Sequence, residues 1–154
     1  MASPRIVSDS IVVDTSADVV FAILADPFTH LEIDGTASVQ GVTSTQPGRR
    51  LALGDRFGMN MKIGLPYKVR NTVVEYDGNR LIAWQHFAKH TWRYELDEFA
   101  PGRTRVTESW DWSRSPYARV IELAGFPDRN RKGIGASLVK LKALAEKRAA
   151  TADP

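Results

Sequence analysis

The sequence predicts an α+β fold: a curved, mostly antiparallel sheet of six to seven strands covered by one long C-terminal helix, with two short helices after the first strand. Three observations carry that reading. Between Thr36 and Ser113, runs of strand character are separated by turn formers at Pro47-Gly48, Gly54-Asp55, Asp77-Gly78-Asn79 and Pro101-Gly102. Turns at such intervals imply hairpins paired in sequence order. From about Asp128 to Ala149 the spacing becomes helical, with Ile134, Leu138, Leu141 and Ala145 on one stripe and Leu144 beside it. A stripe of that length needs a surface to cover, and the concave side of the sheet is the only large candidate. The chain of 154 residues, 43% hydrophobic and 25% charged, is sized for one domain over residues 1–154, with its core at about 6–149.

The elements follow in order. Ile6 to Asp14 is rich in Val and Ile without helical spacing, as a first strand should be. Thr15-Ser16-Ala17-Asp18 offers a hydroxyl and, three residues on, a carboxylate for the free amides of a helix start. Val19, Val20, Ile23 and Leu24 then build one apolar stripe. Asp26 is placed to cap a second short helix with Pro27 in its first turn, and Gly35 is placed to end it. Five or six strands fit the span that follows. Phe57, Met59, Met61 and Ile63 alternate with Arg56, Gly58, Asn60 and Lys62, marking one buried and one wetter face. Trp92, Tyr94 and Leu96 alternate with Arg93, Glu95 and Asp97. Val106, Glu108, Trp110 and Trp112 share the inward parity of the last strand. A short apolar piece, Tyr117 to Ala124, breaks at Gly125-Phe126-Pro127 before the long helix, and Thr151 to Pro154 reads as a frayed tail.

Composition excludes several chemistries. With no cysteine, disulfide scaffolds, thiolate metal sites and cysteine nucleophiles are ruled out. The 21 Lys and Arg against 18 Asp and Glu leave a net charge of only +3. The late positive charges, Arg129, Arg131, Lys132, Lys140, Lys142, Lys147 and Arg148, are expected on the solvated face of the last helix. No nucleic-acid recognition motif accompanies them, so no nucleic-acid partner is expected. No stretch approaches the ~20 apolar residues of a membrane span, and a cytoplasmic protein is the default. No G-x-S-x-G, P-loop, dinucleotide-binding or H-E-x-x-H motif occurs. Gly133-Ile134-Gly135-Ala136 looks like a phosphate loop but sits inside the helical pattern, where close packing against a neighbour or a ligand explains it better.

The order of elements, together with Val19-Val20-Phe21-Ala22-Ile23-Leu24-Ala25-Asp26-Pro27, Trp92-Arg93-Tyr94-Glu95-Leu96, Pro101-Gly102-Arg103-Thr104-Arg105-Val106-Thr107-Glu108 and Leu138-Val139-Lys140-Leu141-Lys142, resembles the START-related polyketide cyclase/dehydrase and lipid-transport superfamily. The resemblance spans Ile6 to Ala149. It implies a helix-grip fold with a deep cavity between the long helix and the sheet, used across the superfamily for apolar small molecules. Some members are cyclases or dehydratases, others bind or carry, and fold likeness does not choose between them.

The candidate ligand-binding residues are Met59, Met61, Trp84, His86, Trp92, Tyr94, Glu108 and Trp110. The aromatic rings make either core or cavity wall, and the methionines add adaptable apolar surface. His86 and His90 flank the hairpin Phe87-Ala88-Lys89, and His30 lies on the second short helix. Two histidines around a hairpin tip do not supply three convergent ligands, so no metal and no cofactor are expected. An unpaired buried carboxylate is costly, so Glu108 needs a partner, water in a cavity, or a bulge that turns it outward. With His86 or Tyr94 it could polarise a bound carbonyl or hydroxyl. No catalytic residue is assigned. The expected function is binding or carriage of a hydrophobic small molecule. The alternatives are a cyclase or dehydratase using Glu108, His86 and Tyr94, and a protein-interaction module whose cavity is incidental.

Overall fold

The computed structural model describes residues 4–42 and 50–152, and the expected turn at Pro47-Gly48 lies outside them. Strand β1 (Ile6–Val13) leads into helix α1 (Ala17–Leu24), one turn of 3-10 helix (Pro27–Thr29) and helix α2 (His30–Ile33). Strands β2 (Val39–Val42), β3 (Arg56–Ile63), β4 (Leu65–Asp77), β5 (Leu81–Gln85), β6 (Thr91–Ala100) and β7 (Arg103–Asp111) follow, then helices α3 (Ala118–Leu123) and α4 (Phe126–Ala152). The strands form one seven-stranded sheet in the order β1-β7-β6-β5-β4-β3-β2, antiparallel at every pairing. The meander β2 to β7 is the sequential pairing that the turn spacing predicts. Register shifts between Val39 and Gly41, Val73 and Glu75, and Glu98 and Ala100 are bulges, the local feature that bends a sheet.

Asp26 caps the 3-10 turn, its side chain accepting from the Phe28 amide, with Pro27 in the first turn. The start of α1 works differently from the sequence expectation. Ser16 is the N-cap but its side chain caps no helix amide; its hydroxyl donates to the Asp18 carboxylate instead. The free amide of Ala17 is satisfied by Glu98 Oε2 from β6 at 2.9 Å. The sheet therefore caps the helix, a long-range pairing that local sequence cannot show.

Helix α4 begins at Phe126, ahead of the expected Asp128, because Pro127 lacks only an amide that a first turn leaves unpaired in any case. Thr151 and Ala152 are helical, so the helix also outruns the predicted Ala149. Ile134, Leu138, Leu141 and Ala145 are all buried, as the spacing predicts. The helix packs against β1, β7, α1, α2 and α3, which occupies the β1 side of the concave face and leaves β3 to β6 to partial cover by α1 and α2. Its basic residues are not all a free solvated face: Arg129 donates to the Thr36 carbonyl at 3.2 Å, Lys140 to that of Asp34 at 3.1 Å and Lys142 to that of Val12 at 2.9 Å. These bonds tie α4 to the α2–β2 segment and to β1.

Helix α2 ends at Ile33, with Asp34 as its C-cap, rather than at Gly35. The reason for a glycine at 35 lies elsewhere. Its amide donates to Ser137 Oγ at 2.7 Å, and a Cβ there would collide with the Gly133 carbonyl, the Ser137 amide and the Ala136 methyl. A Cβ on Gly133 would in turn collide with the Thr36 side chain. The pair Gly35 and Gly133 thus lets the α2–β2 connection lie directly on α4, the close packing against a neighbour proposed for the Gly133-Ile134-Gly135-Ala136 run. Gly135 is different, since a Cβ there would meet only Asp9 Oδ2 at an ordinary 3.8 Å.

This contrast is testable by urea denaturation. Gly35→Ala should lower stability by about 1–3 kcal/mol, the usual cost of forcing atoms into a closed contact. Gly135→Ala should be neutral or stabilise by up to about 1 kcal/mol through helix propensity. Equal stabilities for the two variants would contradict the close approach of α2 and α4.

Candidate functional site

Between the helices and the β3 to β7 side of the concave face lies a cavity of about 470 Å³, within the ~300–1,000 Å³ of small-molecule sites. Its floor is the inward parity of five neighbouring strands: Phe57, Met59 and Met61 of β3, Tyr67, Val69 and Asn71 of β4, Trp84 of β5, Trp92 and Tyr94 of β6, and Glu108 and Trp110 of β7. Its roof comes from Ile121 of α3 and from Phe126, Arg129, Asn130 and Ser137 of α4. All eight residues singled out from the sequence line this one space. Ile63, Tyr67 and Phe87 also line it while remaining 36%, 40% and 77% exposed, and residues that do both mark the opening.

Aromatic contacts fix the walls. Trp84 sits among His30 (stacked, 4.8 Å between centroids), Phe57 (5.7 Å) and Tyr94 (5.6 Å). Trp110 stacks on Trp112 at 4.6 Å and lies 6.0 Å from Trp92. Trp112 is absent from the cavity wall; its indole donates to Glu122 at 3.0 Å, so it serves as core behind Trp110.

Glu108 and Tyr94 are directly opposite across the β6–β7 pair, and the Tyr94 hydroxyl donates to Glu108 Oε1 at 2.7 Å. Glu108 has the partner that its inward parity requires, with no bulge at its position and, among the described residues, no ion pair. Among the described residues, Oε2 is the fully buried side-chain polar atom that no hydrogen bond satisfies. Burial raises the Glu108 carboxyl to about 8, with Asp34 adding to the rise and the Tyr94 bond opposing it. Burial, reinforced by the Glu108 charge, also pushes the Tyr94 phenol well above its ordinary value. Glu108 is thus a neutral acid at pH 7, a donor as well as an acceptor.

Three histidines border the cavity, all shifted toward the neutral form. His30 is lowered by burial and bonds the Leu24 carbonyl through Nε2 at 2.9 Å. His86 is lowered by burial alone, and His90 by burial and by His86 to about 3. The histidines do not form a metal-ligating cluster with carboxylates: among the described residues no group of three or more such side chains converges.

Sequence reading missed His30, Tyr67, Asn71, Asn130, Asp34 and Ser137 as wall residues. The β4 alternation Tyr67, Val69, Asn71, Val73 carried a signal for two of them, since three of its members line the cavity and Val73 is buried. Asp34 had no such signal; its carboxylate is consumed by the amides of Thr36, Ser38 and Val39 and the Thr36 hydroxyl.

Residues 4–146 match the sequence profile of the family described as polyketide cyclase/dehydrase and lipid transport. An uncharacterized protein of Mycobacterium tuberculosis is 37% identical over 145 residues, which is 91% of this chain and 64% of that protein. The chain therefore spans less than two thirds of that relative. A Nitrosomonas europaea protein superimposes with a TM-score of 0.68 at 15% identity, covering 97% of this chain and 99% of the other. The Zhui aromatase/cyclase of a Streptomyces species superimposes with a TM-score of 0.62 at 18% identity, covering 94% and 95%. At these identities the structural neighbours speak for the fold.

Glu108 makes stability depend on pH with a definite sign. A carboxyl whose folded-state value lies above its unfolded value of about 4.5 stabilises fully below that pH and loses its contribution as pH rises toward about 8. The lowered histidines act oppositely, withdrawing stability as pH falls below about 6.5. Denaturation at pH 5 to 9 should therefore show Glu108→Gln flattening the decline that wild type shows up to about pH 8, by up to about 1.4 kcal/mol per pH unit within that window. Parallel curves for wild type and variant would place Glu108 in water.

Proposed function

Because this chain belongs to the polyketide cyclase/dehydrase and lipid transport family, we propose that it binds and carries an uncharged, hydrophobic small molecule, lipid or polyketide-like, between α4 and the sheet. The observation that carries this reading is a cavity of about 470 Å³ whose walls are aromatic rings and methionines interspersed with polar side chains, as in a small-molecule pocket. Family membership supports a hydrophobic ligand or a cyclase role; the preference for carriage comes from the wall. Its acid is held by Tyr94 and kept protonated by burial, and its histidines are neutral, so every wall group named above except Asp34 and Arg129 meets a ligand uncharged. Met59, Met61, Trp84, Trp92 and Trp110 supply apolar contact, and Tyr94, Glu108 and His86 the polar contacts that orient the guest.

A second reading is a cyclase or dehydratase. What favours it is the neutral Glu108, a carboxylic acid able to give a proton at pH 7 to a carbonyl or leaving hydroxyl, together with the structural likeness to an aromatase/cyclase. Substrate turnover separates the two readings. A carrier binds and releases its guest unchanged, whereas the enzyme converts a model polyketone and loses that activity in Glu108→Gln.

Titration with an apolar naphthalene fluorophore, read by quenching of the wall tryptophans, tests the carrier. Saturable one-to-one binding is expected in wild type. Met61→Trp, which inserts a large ring into the cavity, should weaken it at least tenfold while the far-ultraviolet circular dichroism stays unchanged. Binding untouched by Met61→Trp would place the site elsewhere.

A further inference from the structure

The two histidines at the β5–β6 turn have a hydrogen-bonding state dictated by their neighbours. The Trp110 Nε1–H donates to His90 Nδ1 at 2.9 Å, and an indole nitrogen only donates. His90 Nδ1 is therefore the bare nitrogen, and a neutral ring must carry its proton on Nε2. The backbone amide of Ala88 donates to His86 Nδ1 at 3.2 Å, which sets the same tautomer on the second ring. The two rings meet edge to face, with centroids 4.1 Å apart and planes at 88°. Both line the cavity, beside Phe87 at its opening.

Neither Nε2 atom has a hydrogen-bond partner among the described residues. Neither is sealed off, because the fully buried unpaired polar atom is Glu108 Oε2. The rings touching them, Phe87 on His86 and Trp110 on His90, offer no acceptor oxygen. Burial keeps both imidazoles uncharged at neutral pH, so they cannot serve as cationic anion binders there. What they offer a guest is a pair of neutral N–H donors beside the aromatic rings of Phe87 and Trp110.

We propose that His86 and His90 form an acceptor-selective subsite, donating Nε2–H groups to a carbonyl or ether oxygen of the bound molecule. The subsite rests on the carrier reading above and adds the chemical class of the guest: an apolar molecule with a hydrogen-bond acceptor at the end nearest the opening. A guest with only an N–H donor there would set donor against donor and leave both unpaired, an arrangement that binding disfavours. A pure hydrocarbon would bury two N–H groups unsatisfied.

Two measurements test the subsite. Long-range proton–nitrogen correlation spectra of the wild-type protein at pH 7 should show Nε2–H on both His86 and His90. A proton on Nδ1 of either ring overturns the proposal without any ligand. The second measurement compares acetylnaphthalene with ethylnaphthalene, which share shape but not the acceptor. The ketone should bind about tenfold more tightly, and a variant carrying both His86→Phe and His90→Phe should lose that preference, binding the two naphthalenes with equal affinity. Equal affinities in wild type, or a preference that survives the double substitution, overturn the subsite while leaving the carrier reading in place. If neither naphthalene binds the wild type, the carrier reading fails and the subsite falls with it.

Discussion

One geometric mismatch underlies the molecule: the concave face of a seven-stranded sheet is wider than one α-helix can cover. Helix α4 has one apolar stripe, and Ile134, Leu138, Leu141 and Ala145 bury it on the β1 side. The helix cannot shift toward β3 without giving up the glycine contact at Gly35 and the bonds from Arg129, Lys140 and Lys142 to carbonyls on its own side. A void lined by Phe57, Met59, Met61, Trp84 and Trp92 is the result, and it persists because the surrounding walls are braced against one another by ring contacts rather than against α4.

The same hollow explains the electrostatics. A carboxylate in bulk water has no reason to hold its proton at pH 7, but Glu108 sits where burial opposes the charge more strongly than the Tyr94 bond favours it. The histidines respond to the same apolar surroundings by losing their protons. A wall built this way is polar without being charged. It can orient an oxygen-bearing guest, and it does not demand a counter-ion. Asp34 and Arg129 are the charged exceptions: the carboxylate is spent on neighbouring amides that organise the turn into β2, and the guanidinium donates to the Thr36 carbonyl.

Much of this was legible in the sequence because it follows from periods of two and of 3.6. The alternation through Phe57 to Ile63, Trp92 to Leu96 and Val106 to Trp112 located the floor of the cavity, and the spacing from Ile134 to Ala145 located the buried stripe of α4. The polar wall was harder to read. Glu108 announced itself by being a carboxylate on an inward parity, but its partner Tyr94 was chosen by strand register, which is set across a hairpin. His30 became a wall residue because α2 folds back on Trp84, a contact 54 positions distant in the chain. Arg129 and Asn130 occupy the first turns of α4, where the pattern reads as solvated, yet the end of the helix overhangs the hollow. The Ala17 amide capped by Glu98 is of the same kind: local sequence proposes a cap, and tertiary contact supplies another.

The central claim is a real hollow between α4 and the β3–β6 face, and xenon dissolved under pressure probes it most directly, since apolar cavities take up the gas. In methyl-resolved spectra, the Met59, Met61 and Ile33 methyl resonances should shift saturably with xenon pressure, while those of Val120 and Leu123 on the exposed side of α3 stay in place. Unmoved methionine methyls across the pressure range would mean that the space is filled, and the account of cavity, neutral acid and guest would be contradicted together.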